Sequence, residues 1–223
     1  MQEVRPFNMN KYSAFLFDMD GTLLDSEKLK GKALSETCSM FGGIADVNVY
    51  KDVMGETWSN VANHFLRKAN INPNIDEFNA KFRIRYQKLL SEQLVTNKNV
   101  VPLLQQIKKS SKKCGLVSSA FEWMVNHAIA QLSLSEYFDI IICKEHVTHH
   151  KPHPEAYLKA IGELNLKSQD ILIFEDSNAG LMAAENANCD SIAFRHSFNI
   201  NNDFRTALKI ITDFKVICDD LSS

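Results

Sequence analysis

Two aspartates with a single residue between them, Asp18 and Asp20, sit in FLFDMDGTLLDSE (Phe15 to Glu27), behind an apolar run and ahead of a glycine. Carboxylates that close repel each other at neutral pH unless a positive group lies between them. Three other short polar elements bear on that need: Ser118-Ser119 in GLVSSA, Lys151 in HHKPHPEAY, and Glu175-Asp176 in FEDSNAG. Gathered in one cleft, four carboxylates require a cation, and an all-oxygen donor set suits a hard ion such as Mg2+. A lysine and a serine hydroxyl are not needed to hold a metal. They are what the oxygens of a phosphoryl group require, so the expected ligand is a phosphate ester.

For these elements to meet, something must carry them to one place. Each lies just beyond a short apolar run or ahead of a helical stretch. The run YSAFLFD (12–18) ends at a D-G turn signal and reads as a strand buried on both faces; CGLVS, FDIIIC, ILIFED and SIAF share its style. Between them, Met124, Val125, Ala128, Ile129 and Leu132 trace one apolar helix face, and Ala156, Tyr157, Ala160, Ile161 and Leu164 trace another. Such alternation predicts a doubly wound α/β domain with a parallel sheet, whose ligands bind at the carboxyl ends of the strands.

The interval from Glu27 to Thr96 holds no comparable strand. Trp58, Val61, Ala62, Phe65, Leu66 and Ala69, then Phe78, Phe82, Tyr86, Leu89 and Leu90, keep helical spacing, with Gly42-Gly43, Gly55 and Asn72-Pro73 as punctuation. The expected organisation is an α/β core, residues 1–26 and 97–223, with a small helical cap, residues 27–96, inserted after the first strand.

Bulk properties narrow the classes. The 223 residues are 45% hydrophobic with a formal net charge of −2, enough for a core and without a basic stripe for nucleic acid. Five cysteines without a C-x-x-C pair read as reduced thiols of a cytoplasmic protein. No segment has the length of a membrane span, and the first twelve residues read as a frayed lead-in without a signal peptide. The expected partner is a small phosphorylated metabolite, with no nucleic acid and no membrane, and the chain is expected to act as a monomer.

The four motifs together resemble those of the haloacid dehalogenase superfamily, and the resemblance spans nearly the whole chain. DMDGTLLDSE resembles its first motif, GLVSSA its second, KPHPEAY its lysine motif and FEDSNAGLMAA its fourth. The helical insertion is similar to the cap of the subgroup with β-phosphoglucomutase and small sugar-phosphate phosphatases. The resemblance implies that Asp18 is the nucleophile, forming an aspartyl-phosphate, and that Asp20 is the general acid and base. It implies Mg2+ held by Asp18, the Asp20 carbonyl and Asp176, with Glu175 a direct or supporting ligand. Ser118, Ser119 and Lys151 would bind the phosphoryl group, helped by the N–H groups of Met19, Asp20 and Ser119. The activity implied is a Mg2+-dependent phosphatase of a sugar, polyol or nucleoside monophosphate. A phosphomutase is the alternative within the enzymes, and a phosphometabolite-binding module the alternative outside them. Dehalogenation is disfavoured, because such enzymes lack the second aspartate and the metal.

Each element also has an ordinary role. A D-x-D after a strand is often a turn and a cap, Ser119 could start a helix, and Lys151 could be a solvated loop lysine. The histidines His146, His149, His150 and His153 have offsets that suit a zinc site on a helix, but Pro152 and Pro154 exclude the helix. Trp58 reads as core, with stacking on a ligand ring as the alternative. Where the mutases of the resembling subgroup carry a histidine, this chain has Lys30, which reads as a solvated helical lysine, with contact to an anionic substrate as the alternative.

Overall fold

The computed structural model describes residues 8–221. Six strands form one parallel sheet: β1 (Ala14–Phe17), β2 (Lys113–Val117), β3 (Ile140–Ile142), β4 (Ile171–Glu175), β5 (Asp190–Phe194) and β6 (Lys209–Ile211), in the order β3-β2-β1-β4-β5-β6. All four residues of β1 are buried, as its apolar run requires. Alternation divides them. Phe15 and Phe17 point to one side of the sheet, where Phe17 stacks on Phe174 at 4.6 Å between ring centroids, while Ala14 and Leu16 point to the other.

Helices cover both faces. Val100–Lys109 (α4), Glu122–Gln131 (α5) and Lys215–Leu221 (α8) pack on the phenylalanine side; Glu155–Glu163 (α6) and Asn178–Asn186 (α7) pack on the other through Ala156, Tyr157, Ala160, Ala183 and Ala184. The strand order reverses at β1, so the carboxyl ends of β1, β2 and β4 flank the crevice where open α/β sheets bind ligands.

Between β1 and β2 the chain builds Glu27–Met40 (α1), a short 3-10 turn (Val47–Asp52), Trp58–Ala69 (α2) and Ile75–Gln93 (α3). Helix starts follow the sequence: Thr57 Oγ1 accepts the Asn60 N–H, and Asn74 Oδ1 accepts those of Asp76 and Glu77. The stretches of chain entering and leaving this segment pair with each other. Leu24 and Thr96 form an antiparallel bridge, with Asp25 N–H donating to Val95 O at 3.1 Å and Asn97 N–H to Leu23 O at 2.9 Å.

Two expectations change. The sixth strand had no counterpart in the sequence reading. The lead-in is packed where it is described: Met9 and Tyr12 are fully buried beside the 3-10 turn Met9–Lys11, while residues 1–7 lie outside the described residues. All five cysteines are free, and among the described residues no helix is long and apolar enough to cross a membrane.

Candidate active site

Asp18 is the first residue beyond β1, and its N–H still donates to Phe174 O at 2.9 Å, which aligns it with the end of β4. The chain then folds back: Leu24 N–H donates to Met19 O at 3.0 Å and Gly21 N–H to Leu24 O at 2.9 Å. Gly21 has φ +79°, and a Cβ there would stand 2.2 Å from Asp176 Oδ2. Only glycine meets both demands, which explains the D-G pair and brings the two acidic loops together.

Lys151 reaches this place from the loop before α6. Its Nζ donates to Asp18 Oδ1 at 2.7 Å, Glu175 Oε1 at 2.6 Å and Val117 O at 3.0 Å, with only 5% of the side chain exposed. The solvated-loop reading of this lysine fails. Glu175 is saturated: Oε1 also accepts from Tyr157 Oη at 2.7 Å, and Oε2 accepts from the N–H groups of Asp176 and Ser177 and from Ser177 Oγ.

Asp176 is buried, and His196, just after β5, orients it. His196 Nδ1 accepts the Phe198 N–H at 3.2 Å, so the ring proton sits on Nε2, which donates to Asp176 Oδ2 at 2.9 Å. Asn199 Nδ2 donates to Asp176 O at 2.9 Å and ties the same loop to the site.

Asp20 faces the helical segment. Its Oδ1 accepts from Ser26 Oγ at 2.5 Å, and Lys30 Nζ lies 3.0 Å from Oδ2 and 3.5 Å from Glu27 Oε1. Lys30, with 15% of its side chain exposed, is therefore a largely enclosed bridge between two carboxylates rather than a solvated lysine. Ser118 is buried with Oγ accepting the Ala120 N–H at 3.1 Å, and Ser119 is exposed and does not begin α5, whose cap is Phe121. Among the described residues, the N–H groups of Met19, Asp20 and Ser119 have no protein acceptor, and they stand at the loops around Asp18.

The electrostatics are those of an under-compensated acidic pocket. Burial raises the Asp18 carboxyl well above its usual range, with Glu175 and Asp176 adding to the rise and Lys151 opposing it. Burial does the same to Asp176, reinforced by Glu27 and Glu175. Burial pulls the Lys151 ammonium down, but Asp18 and Glu175 outweigh it and hold the pKa above normal. One carboxylate oxygen from each of Asp18, Glu175 and Asp176 lies within 4.8 Å of the others. An all-oxygen set, short of positive charge and closed against a Cβ at Gly21, fits a hard divalent cation.

A second cluster, His149, His153 and Glu155, also gathers within 4.8 Å despite the prolines. Its hydrogen bonds disfavour metal binding. Glu155 takes the N–H groups of Thr148 and His149 and contacts His149 Nδ1, while His153 Nδ1 accepts the Glu155 N–H at 3.2 Å and so keeps its proton on Nε2. The cluster fastens the lysine loop.

Above Asp18 lies a cavity of about 390 Å3, bounded by the loops of the sheet on one side and by Tyr50, Met54, Trp58 and Val61 of the helical segment on the other. Trp58 is half-buried and lines this cavity, so it is not core alone.

Parallel strands that bring a D-x-D pair, a buried lysine and an acid pair to one crevice define a hydrolase acting on phosphate esters. The chain belongs to the haloacid dehalogenase-like hydrolases, whose family model matches residues 15–194. It is 28% identical to the phosphorylated carbohydrates phosphatase of Thermotoga maritima, over 83% of this chain and 87% of that protein. It is also 28% identical to the fructose-1-phosphate phosphatase of Escherichia coli, over 83% of this chain and 97% of that one. CbbY from Rhodobacter sphaeroides, solved in complex with phosphate, shares the fold with a TM-score of 0.84 at 24% identity, covering 95% of this chain and 100% of that one.

Proposed function

We propose that this chain is a Mg2+-dependent phosphatase that hydrolyses a small phosphorylated metabolite, a sugar, polyol or nucleoside monophosphate. The observation that carries the proposal is the meeting of Asp18, Lys151 and Asp176, which come from three distant loops. Asp18 attacks phosphorus in line, and the bond to the departing oxygen breaks as Asp20 delivers a proton to it. Asp20 then takes a proton from water as the water oxygen attacks the aspartyl-phosphate, which releases phosphate and restores Asp18. Ser118 and the N–H groups of Met19, Asp20 and Ser119 hold the phosphoryl oxygens, and Lys151, whose three N–H groups donate to Asp18, Glu175 and Val117, brings positive charge beside them.

The Asp18 and Asp176 carboxylates and the Asp20 carbonyl would hold Mg2+, which supplies charge to the transferring group. Glu175, with both oxygens occupied, instead fixes Lys151 and the start of the Asp176 loop. Residues 27–96 serve as a cap over residues 1–26 and 97–223; the paired linkers at Leu24 and Thr96 support that division. A phosphomutase is disfavoured by Lys30 at the position where the mutases carry histidine.

The test is Mg2+-dependent release of phosphate from an aryl phosphate, with mass detection of a phosphorylated Asp18 peptide after acid quench. Loss of release in Asp18→Asn is expected. Release that persists in that variant, or no turnover of any ester, overturns the proposal.

A further inference from the structure

The lining of the cavity is of two kinds. Asp18, Asp20, Lys30, Lys151 and Asp176 are charged, whereas Met54 and Trp58 of the helical segment and Phe121 and Met124 of the core present aromatic and aliphatic surface.

The aromatic groups are fixed in advance. Trp58 packs on Phe82 at 4.4 Å between centroids, and its Nε1 donates to Asn79 Oδ1 at 3.0 Å, which settles the ring plane and satisfies its polar atom. Phe121 lies beneath the Lys144 ammonium, 3.8 Å from the ring centroid.

Polar groups on the cap wall already take local hydrogen bonds: Thr57 Oγ1 accepts the Asn60 N–H, Glu56 Oε2 accepts from Asn60 Nδ2 at 3.1 Å, and Ser59 Oγ accepts from Asn63 Nδ2 at 3.4 Å. Against the aromatic and aliphatic part of the lining a flat ring loses little hydration and gains stacking, whereas the hydroxyls of a sugar give up water there. Sites that recognise small ligands combine such apolar walls with a few directed polar groups.

We propose that the substrate is a phosphomonoester whose alcohol carries an aromatic ring, a nucleoside 5′-monophosphate rather than a bare sugar phosphate, with the ring held between Trp58 and Phe121. The inference rests on the phosphatase reading of this site and narrows it to one substrate class.

Binding tests it without turnover. Calorimetry on the Asp18→Asn protein with Mg2+ compares uridine 5′-monophosphate with ribose 5-phosphate, which present the same phosphate and differ by the ring. An affinity at least about tenfold higher for the nucleotide is expected, as is loss of most of that ratio in Trp58→Leu and in Phe121→Leu. The second variant, on the opposite wall, keeps the test valid if the first fails to fold. Equal affinities, no binding of either ester, or a ratio unchanged in both variants overturns the proposal. The wild-type enzyme failing to hydrolyse any ester while the nucleotide preference holds would defeat the phosphatase reading alone.

Discussion

Two lysines in this molecule are each enclosed between two carboxylates, and each touches one member of the D-x-D pair. Lys151 joins Asp18 to Glu175 through bonds of 2.7 and 2.6 Å, and the groups it hydrogen bonds lie at the carboxyl ends of β1, β2 and β4. Lys30 joins Asp20 to Glu27 at 3.0 and 3.5 Å, from the first turn of α1, beyond the linker. The first is a short, saturated clamp on a rigid edge. The second is longer and spans two parts of the fold, and burial raises the Glu27 carboxyl as it raises that of Asp18. Removing the cation from the shorter, more deeply buried pair costs more than removing it from the longer, less enclosed one.

The largest effect should come from Lys151→Met. Stranding Asp18 and Glu175 should cost about 3–5 kcal/mol in urea unfolding and remove detectable turnover. A loss no larger than that of Lys30→Met would end the contrast. His196→Ala next separates structure from metal binding: with Asp176 no longer oriented, the Mg2+ dissociation constant measured by calorimetry should rise about 10–100-fold while the fold persists. Lys30→Met should cost about 1–3 kcal/mol and slow turnover about 10–100-fold, because Ser26 still holds Asp20. The smallest effect concerns the fastening of the Lys151 loop. The N–H groups of Thr148 and His149 push the Glu155 carboxyl down from 4.5 to about 2. With the folded pKa below the unfolded one, this stabilisation is complete above pH 4.5 and fades as pH falls through about 2. An NMR titration of Glu155 with a midpoint near its ordinary value would show the loop to be held otherwise.

Much of the sheet edge was legible before any coordinates. Asp18, Asp20 and Asp176 stood out because acids at the ends of apolar runs have no packing reason to be there, Lys151 because it stands shortly before a helix in HHKPHPEAY, and the D-G pair disclosed the turn. What hid was of two kinds. β6 is three residues long at the sheet margin with one buried position, too short for a periodicity to register. Lys30 and Trp58 hid because a lysine in a helix and an aromatic on an apolar stripe look the same whether they serve a site or only a surface and a core. His196 lies two residues past the run SIAF, behind Arg195, which a search for charge directly after apolar runs selects first.

Leu24 and Thr96 are bridge partners, so the chain departs from the sheet and returns to it at neighbouring points. However long the excursion between them, its ends stay a strand spacing apart, and the sheet experiences it as it would a tight hairpin. Such an attachment lets the excursion be exchanged wholesale for one of another size or chemistry while the catalytic floor keeps its register, a route to new substrate preferences that leaves the reaction untouched.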